Sequence, residues 1–243
     1  MSCLSIVENI LSTKIIGTLL DMNINLYIAY YKDVDSERAK EIDMCLRLNC
    51  RNKIFRKIYV FSEIGTDIPF LPVDDRIIII AEGRLKFCDF FKYSNKFTEE
   101  STLNVLINSD VIIGEGIEKL LLEPKYAVCL TRYEISDQNL DVIISVGTGS
   151  HDCWIWKGKM MENIGDFYMG KYHCDGVLAA EMNSCGYILK NPVYGLKTYH
   201  VHNTGVRNYS TDYKVRGTRK AVLFSDNDNF FLETDTFYEG YTS

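Results

Sequence analysis

The sequence is short of proline, has no excess of basic residues and lacks any long apolar run. Four prolines in 243 residues leave no Pro- or Ser-rich linker, so the chain reads as one domain. A net charge of −6, from 27 Lys and Arg against 33 Asp and Glu, excludes general nucleic-acid binding, which needs a basic surface to neutralise phosphates. The apolar residues at 15–16 and 19–20 are interrupted by Lys14, Thr18 and Asp21. That is well short of a signal segment or a membrane span, and nothing downstream is longer. None of the eight cysteines forms a CxxC pair; they read as reduced, mostly buried thiols. These absences together point to a cytoplasmic setting. What remains, 47% hydrophobic and 25% charged, is the composition of a globular protein able to bury an extended core.

Residues 103–113 organise the chain. An apolar run rich in Leu, Val and Ile is broken once, by Asn108, Ser109 and Asp110, and then resumes. A short run without helical spacing predicts a strand buried on both faces, as in a parallel or mixed sheet. Ligands bind at the carboxyl ends of such strands. Oxygen atoms from Asn108 and Asp110 at that end suit a hard cation such as Mg2+ or Mn2+. A polar kink between two short strands is the alternative.

Around it, residues 4–12 predict a short amphipathic helix and 25–31 a first strand rich in aromatic and β-branched residues. A helix capped at 32–36 follows, with Ala39, Ile42, Cys45 and Leu46 on one face. Strands are predicted at 57–63 and 76–81, the second nearly all isoleucine and therefore central, and a short helix at 98–101. Strand, helix, strand, loop, strand is the βαβ pattern of a doubly wound sheet. Beyond 113 a helix at 116–122 and a strand at 126–131 precede Gly- and aromatic-rich segments that hold both tryptophans and all four histidines. Residues 225–243 read as a loosely packed tail.

Three Asp-x-Asp-like triplets compete for a metal. Asp33 and Asp35 precede a helix, where capping explains them, and Asp226-Asn227-Asp228 reads as a turn; Asn108-Ser109-Asp110 alone ends a central strand. His200 or His202 can complete a site with Asp110. A zinc site from His151, Cys153, His173, Cys174 and Cys185 lacks the usual ligand spacing. Gly147-Thr148-Gly149-Ser150 lacks the Lys of a phosphate-binding loop, and a hairpin turn explains it. Asp152, Asp166 and Asp175 stand beside Trp154, Trp156 and Phe167, a combination suited to sugar rings, although aromatic residues at alternating strand positions are also what a core requires.

Taken in order, these phrases resemble GT-A (Rossmann-like) nucleotide-sugar glycosyltransferases, particularly compact enzymes of large DNA viruses and some bacteria. The resemblance runs from about residue 24 to 210. It rests on the first strand, the helix with Arg38, Glu41, Cys45, Leu46 and Asn49, the segment 84–95, Asn108-Ser109-Asp110, the segment 150–156, Asp166 to Gly170, Cys174-Asp175, and Tyr199 to His202 with Arg207-Asn208-Tyr209. It implies an α/β fold with a mixed central sheet flanked by helices, in two fused lobes. Residues 1–113 would bind the donor, and 114–243 the acceptor glycan, with the tail. It further implies a UDP-sugar donor held by Ala29, Tyr30, Tyr31, Arg84, Asn108, Ser109 and Asp110. Mn2+ or Mg2+ would sit on Asp110, Asn108 and His200 or His202, with Asp152, Asp166 and Asp175 as catalytic carboxylates toward a hexosyl or deoxyhexosyl acceptor hydroxyl. In a viral setting the location would be the host cytoplasm. Asn108 departs from the family's pattern, having an amide where a carboxylate is usual. Two alternatives stay open: a sugar-phosphate nucleotidyltransferase, expected to carry a Gly-rich basic loop after the first strand, and a catalytically silent carbohydrate-binding protein.

Overall fold

The computed structural model describes residues 23–135, 143–144, 150–202, 204, 214–224 and 237–240. The helix expected at 4–12, the turn at 147–149, Arg207 to Tyr209 and the Asp226–Asp228 triplet lie outside them.

Strand β1 (Ile24–Tyr30) is followed by helix α1 (Ser36–Arg51) and strands β2 (Lys57–Glu63) and β3 (Ile77–Glu82). Helix α2 (Phe87–Phe97) leads through a turn to β4 (Leu103–Ile107) and β5 (Val111–Ile113). A 3-10 turn (Ile117–Lys119), β6 (Tyr126–Leu130), β7 (Tyr133–Ile135) and β8 (Ile143–Ile144) come next. The chain continues with β9 (Cys153–Lys157), helix α3 (Cys174–Ser184), β10 (Ile188–Lys190), β11 (Thr198–Val201), β12 (Arg219–Val222) and β13 (Phe237–Gly240). Seven strands form one sheet in the order β10-β6-β9-β4-β1-β2-β3. Its pairings are parallel except those of β9, which runs antiparallel between β4 and β6. The sheet is therefore mixed and combines strands from both halves of the chain.

Alternation along the strands sorts side chains to two faces. Leu26, Ile28, Val105, Ile107 and Ile155 pack with Ile42 and Leu46 of α1. Tyr27, Leu106, Trp154 and Trp156 pack with Phe87, Phe90 and Phe91 of α2 and Leu178 and Met182 of α3. Both tryptophans are thus core, T-stacked on Phe87 and Phe91 respectively.

Two expectations change. The isoleucine strand β3 is an edge strand that pairs only with β2. Ile78 and Ile80 reach the core beneath α2 while Ile79 is 52% exposed; an apolar run satisfies one buried face as well as two, so composition overstated its centrality. The helices expected at 98–101 and 116–122 are a turn and a single 3-10 turn.

Between β4 and β5 the chain leaves the large sheet and enters a second one, ordered β5-β11-β7-β8. The corner is Asn108-Ser109-Asp110. Buried Asn49 of α1 fastens its far side: the amide donates to the carbonyl oxygens of Cys45 and Val111 at 3.0 and 2.8 Å, and its Oδ1 accepts from the Ile113 amide at 3.0 Å. Replacing Asn49 with Ala leaves two backbone groups of β5 buried without partners, at about 1–3 kcal/mol each. We expect a loss of about 2–4 kcal/mol, read as a melting temperature lower by about 5–15 °C. A shift below about 2 °C would show that water or another side chain replaces these bonds.

Candidate metal and transfer site

Register places the polar residues. Cys153 stands beside Ile107 of β4 and Leu130 of β6, so Asn108, Thr131 and Asp152 emerge together at one end of the sheet, next to the carboxyl end of β1. The Asn108 amide donates to the Asp152 carbonyl at 3.1 Å, and the Asp152 amide to the Leu130 carbonyl at 3.1 Å.

Asp110 closes the corner. Its Oδ2 accepts from the Arg38 guanidinium and from His200 Nε2, the latter at 3.1 Å. Arg38, in the first turn of α1, also donates to Glu41 Oε2 at 2.8 Å and to the Val201 carbonyl at 3.0 Å. The α1 cap that presents it is the expected one: Asp35 accepts from the amides of Glu37 and Arg38, and Asp33 from that of Asp35. Burial would raise the Asp110 carboxyl, but His200 and Arg38 hold it well below the usual carboxylate range. Burial likewise disfavours the His200 cation, and Asp110 and Glu134 overcome it, raising the imidazole to about 9. Ligation of a metal through Nε2 would require loss of the proton that this shift favours there.

His202 stacks on His200, ring centroids 5.4 Å apart and 11° from parallel. Burial, then Arg38 and His200, lower its pKa, and neither of its ring nitrogens finds a partner among the described residues. Ligand atoms of Asp110, His200 and His202 lie within 4.8 Å of one another, the one such group of three found among the described residues. Two imidazoles and a carboxylate, one imidazole half-buried with both ring nitrogens shielded and unpartnered among the described residues, fit a divalent cation.

From His200 the network continues. Its Nδ1 meets Glu134 Oε2 at 2.6 Å, Arg132 Nε donates to Glu134 Oε1 at 2.6 Å, and Arg132 Nη1 donates to Asp152 Oδ2 at 2.7 Å. The Asn108 side-chain amide donates to Asp152 Oδ1 at 2.6 Å. The chain of contacts thus returns to the corner it left. Asn108, nominated as a metal ligand, directs its amide to Asp152. Asp175, in the first turn of α3, lies close enough to Asp152 for the two charges to repel; burial, then Asp152, pushes its pKa up to about 8. Asp166 stands apart, its side chain 80% exposed and paired with Lys86 at 2.8 Å.

Of the nominated nucleotide contacts, Tyr31 is held near Asp110, Arg38, Asp33 and Arg84 and titrates high through burial, then Asp110. Tyr30 is buried with its hydroxyl on Asp43, and Ala29 packs against the aromatic core. Arg84 donates to the Met169 carbonyl at 3.0 Å, its guanidinium over the Tyr168 ring. Sequence reasoning gave no role to Arg38 and Glu41 and passed over Arg132 and Glu134. Helical spacing does put Arg38, Glu41 and Cys45 on one face, and strand alternation puts Arg132 and Glu134 on one side of β7.

No protein-family profile matches the chain, and no curated protein does. Among solved structures, HddC from Yersinia pseudotuberculosis aligns over 73% of this chain and 89% of its own, at 14% identity and a TM-score of 0.41. The 2-C-methyl-D-erythritol 4-phosphate cytidylyltransferase (IspD) of Francisella tularensis aligns over 58% and 68%, at 17% identity and a TM-score of 0.35. Likeness at this level carries no argument about activity. Among the described residues no helix is long and apolar enough to cross a membrane.

Asp175 gives a pH prediction. Its folded pKa, about 8, lies well above the ordinary Asp value of about 3.9, so its ionisation costs stability progressively as pH rises between those values. An Asp175→Asn variant should gain stability relative to wild type across that window and level off above it. Melting curves from about pH 5 to about pH 9 check this; a constant difference would contradict it.

Proposed function

We propose that the protein is an enzyme of nucleotide-sugar chemistry, a transferase whose divalent cation is held by Asp110, His200 and His202. The observation that carries the reading is His202, a half-buried imidazole whose two ring nitrogens are shielded from solvent and have no hydrogen-bond partner among the described residues, stacked on a second imidazole beside a carboxylate at the carboxyl end of a parallel strand. Bound there, a cation would neutralise charge on the phosphates of the leaving group.

The chain's own residues suit the remaining tasks. Tyr31, just after β1, stands near Asp110 with Arg84 in electrostatic reach of its ring, on the side where the nucleotide would lie, and Asn108 and Ser109 form the corner with Asp110. Arg38 keeps Asp110 ionised and in place. Among the carboxylates nominated for catalysis, Asp152 has both oxygens committed to Asn108 and Arg132, and Asp166 is tied to Lys86. Asp175 is the best suited to exchange a proton with an acceptor hydroxyl, since its pKa lies near the working range of a general base.

Glycosyl transfer from a UDP-sugar to a glycan hydroxyl is the reading we favour; nucleotidyl transfer to a sugar phosphate is the second, and the cation cluster serves either. The loop after β1 supports the first reading. Nucleotidyl transfer calls for free backbone amides and glycines there, whereas here Asp33 and Asp35 already take the amides of Asp35, Glu37 and Arg38. Division of the chain into a donor lobe to residue 113 and an acceptor lobe beyond it belongs to the same proposal.

Thermal shift with UDP, UDP-sugars and Mn2+ tests the site. A ligand at about 100 times its Kd adds about 2.7 kcal/mol, a rise of about 5–10 °C for a chain of this size, which Asp110→Ala should abolish. UDP release from a UDP-sugar then marks glycosyl transfer, and pyrophosphate release from a nucleoside triphosphate with a sugar phosphate marks nucleotidyl transfer. Glycan binding with neither product would establish a silent binding protein instead.

A further inference from the structure

We infer that Glu134 fixes which nitrogen of His200 faces the cation, and that Arg132 locks that setting to Asp152, making the two residues a positioning pair between the cation cluster and the acceptor-side carboxylates. The inference rests on the cation reading above. An imidazole offers two nitrogens, and the one presented to a metal is set by the hydrogen bond that the other makes. Here backbone register makes the choice: β7 and β11 pair in parallel with His200 directly opposite Glu134. The 2.6 Å contact from His200 Nδ1 to Glu134 Oε2 then leaves Nε2 for Asp110 and the cation.

Glu134 is itself held. Arg132, two residues earlier and immediately before β7, takes its Oε1 at 2.6 Å, and the same guanidinium takes Asp152 Oδ2 at 2.7 Å and Ser150 Oγ at 3.2 Å. Both oxygens of Glu134 are therefore committed, one to the histidine and one to the arginine. A glutamine offers one acceptor oxygen and satisfies only one of them. Glu134 belongs neither to the three-residue cluster nor to the core: its side chain is 40% exposed, so its replacement leaves no cavity.

The test measures Mn2+ binding by electron paramagnetic resonance of the free ion, together with imidazole nitrogen NMR of histidine-labelled protein, on the full chain. Glu134→Ala should weaken Mn2+ binding by about 10- to 100-fold and shift the Nδ1 resonance of His200, with Glu134→Gln intermediate and the melting temperature nearly unchanged. A purely structural role would move the melting temperature and leave the imidazole spectrum alone. Glu134→Ala binding Mn2+ as wild type does, while Asp110→Ala loses it, overturns the inference. Wild-type protein that binds no Mn2+ overturns the cation reading instead. The spectrum then decides the role of Glu134 separately: an Nδ1 resonance unchanged in Glu134→Ala refutes the orienting contact, and a shifted one supports it.

Discussion

The carboxylate of Asp110 is held by Arg38 and His200, and the geometry of the site depends on this contact. Three segments far apart in sequence meet there: the first turn of α1, the corner after β4, and β11. Withdrawing a carboxylate from water is costly unless charge and hydrogen bonds replace the solvent. Arg38 supplies both and is itself fastened to Glu41 and the Val201 carbonyl. Without Arg38, Asp110 would keep only His200, and the corner would be tied to α1 through Asn49 alone.

This contact explains why the charged cluster lies at the carboxyl ends of β1, β4 and β6. The large sheet ends there, and the second sheet begins with β5, so backbone no longer fills the space beyond the strands. Side chains do, as alternating acids and bases: Asp110, His200, Glu134, Arg132, Asp152. Each carboxylate in that series touches a cation on either side or a cation and an amide. Asp175, beside Asp152, has no such compensation sufficient to offset its burial, and its high pKa follows.

The corner was legible because an interruption of one apolar run by three small polar residues has few structural solutions. The Asp35 cap and the tryptophans of the core were legible for similar local reasons. What failed was whatever depends on distant partners. Isoleucine composition could not tell edge from centre for β3, because one buried face already demands it. Asp166 shares its aromatic surroundings with Asp152 in sequence, yet pairs with Lys86 on the surface. That the Asn108 side-chain amide donates to Asp152 likewise depends on a partner 44 residues away. Glu134 lies on an ordinary three-residue strand and Arg132 just before it, and their importance comes from residues about twenty and sixty-six positions away.

Anomalous diffraction from crystals soaked with Mn2+ and UDP tests the central claim most directly. One strong peak is expected, bounded by an Asp110 carboxylate oxygen, His200 Nε2 and a ring nitrogen of His202, each at about 2.0–2.3 Å as for other divalent cations on nitrogen and oxygen. A peak elsewhere, or no peak with UDP clearly bound, would contradict it and leave Arg38 as the positive charge at the corner.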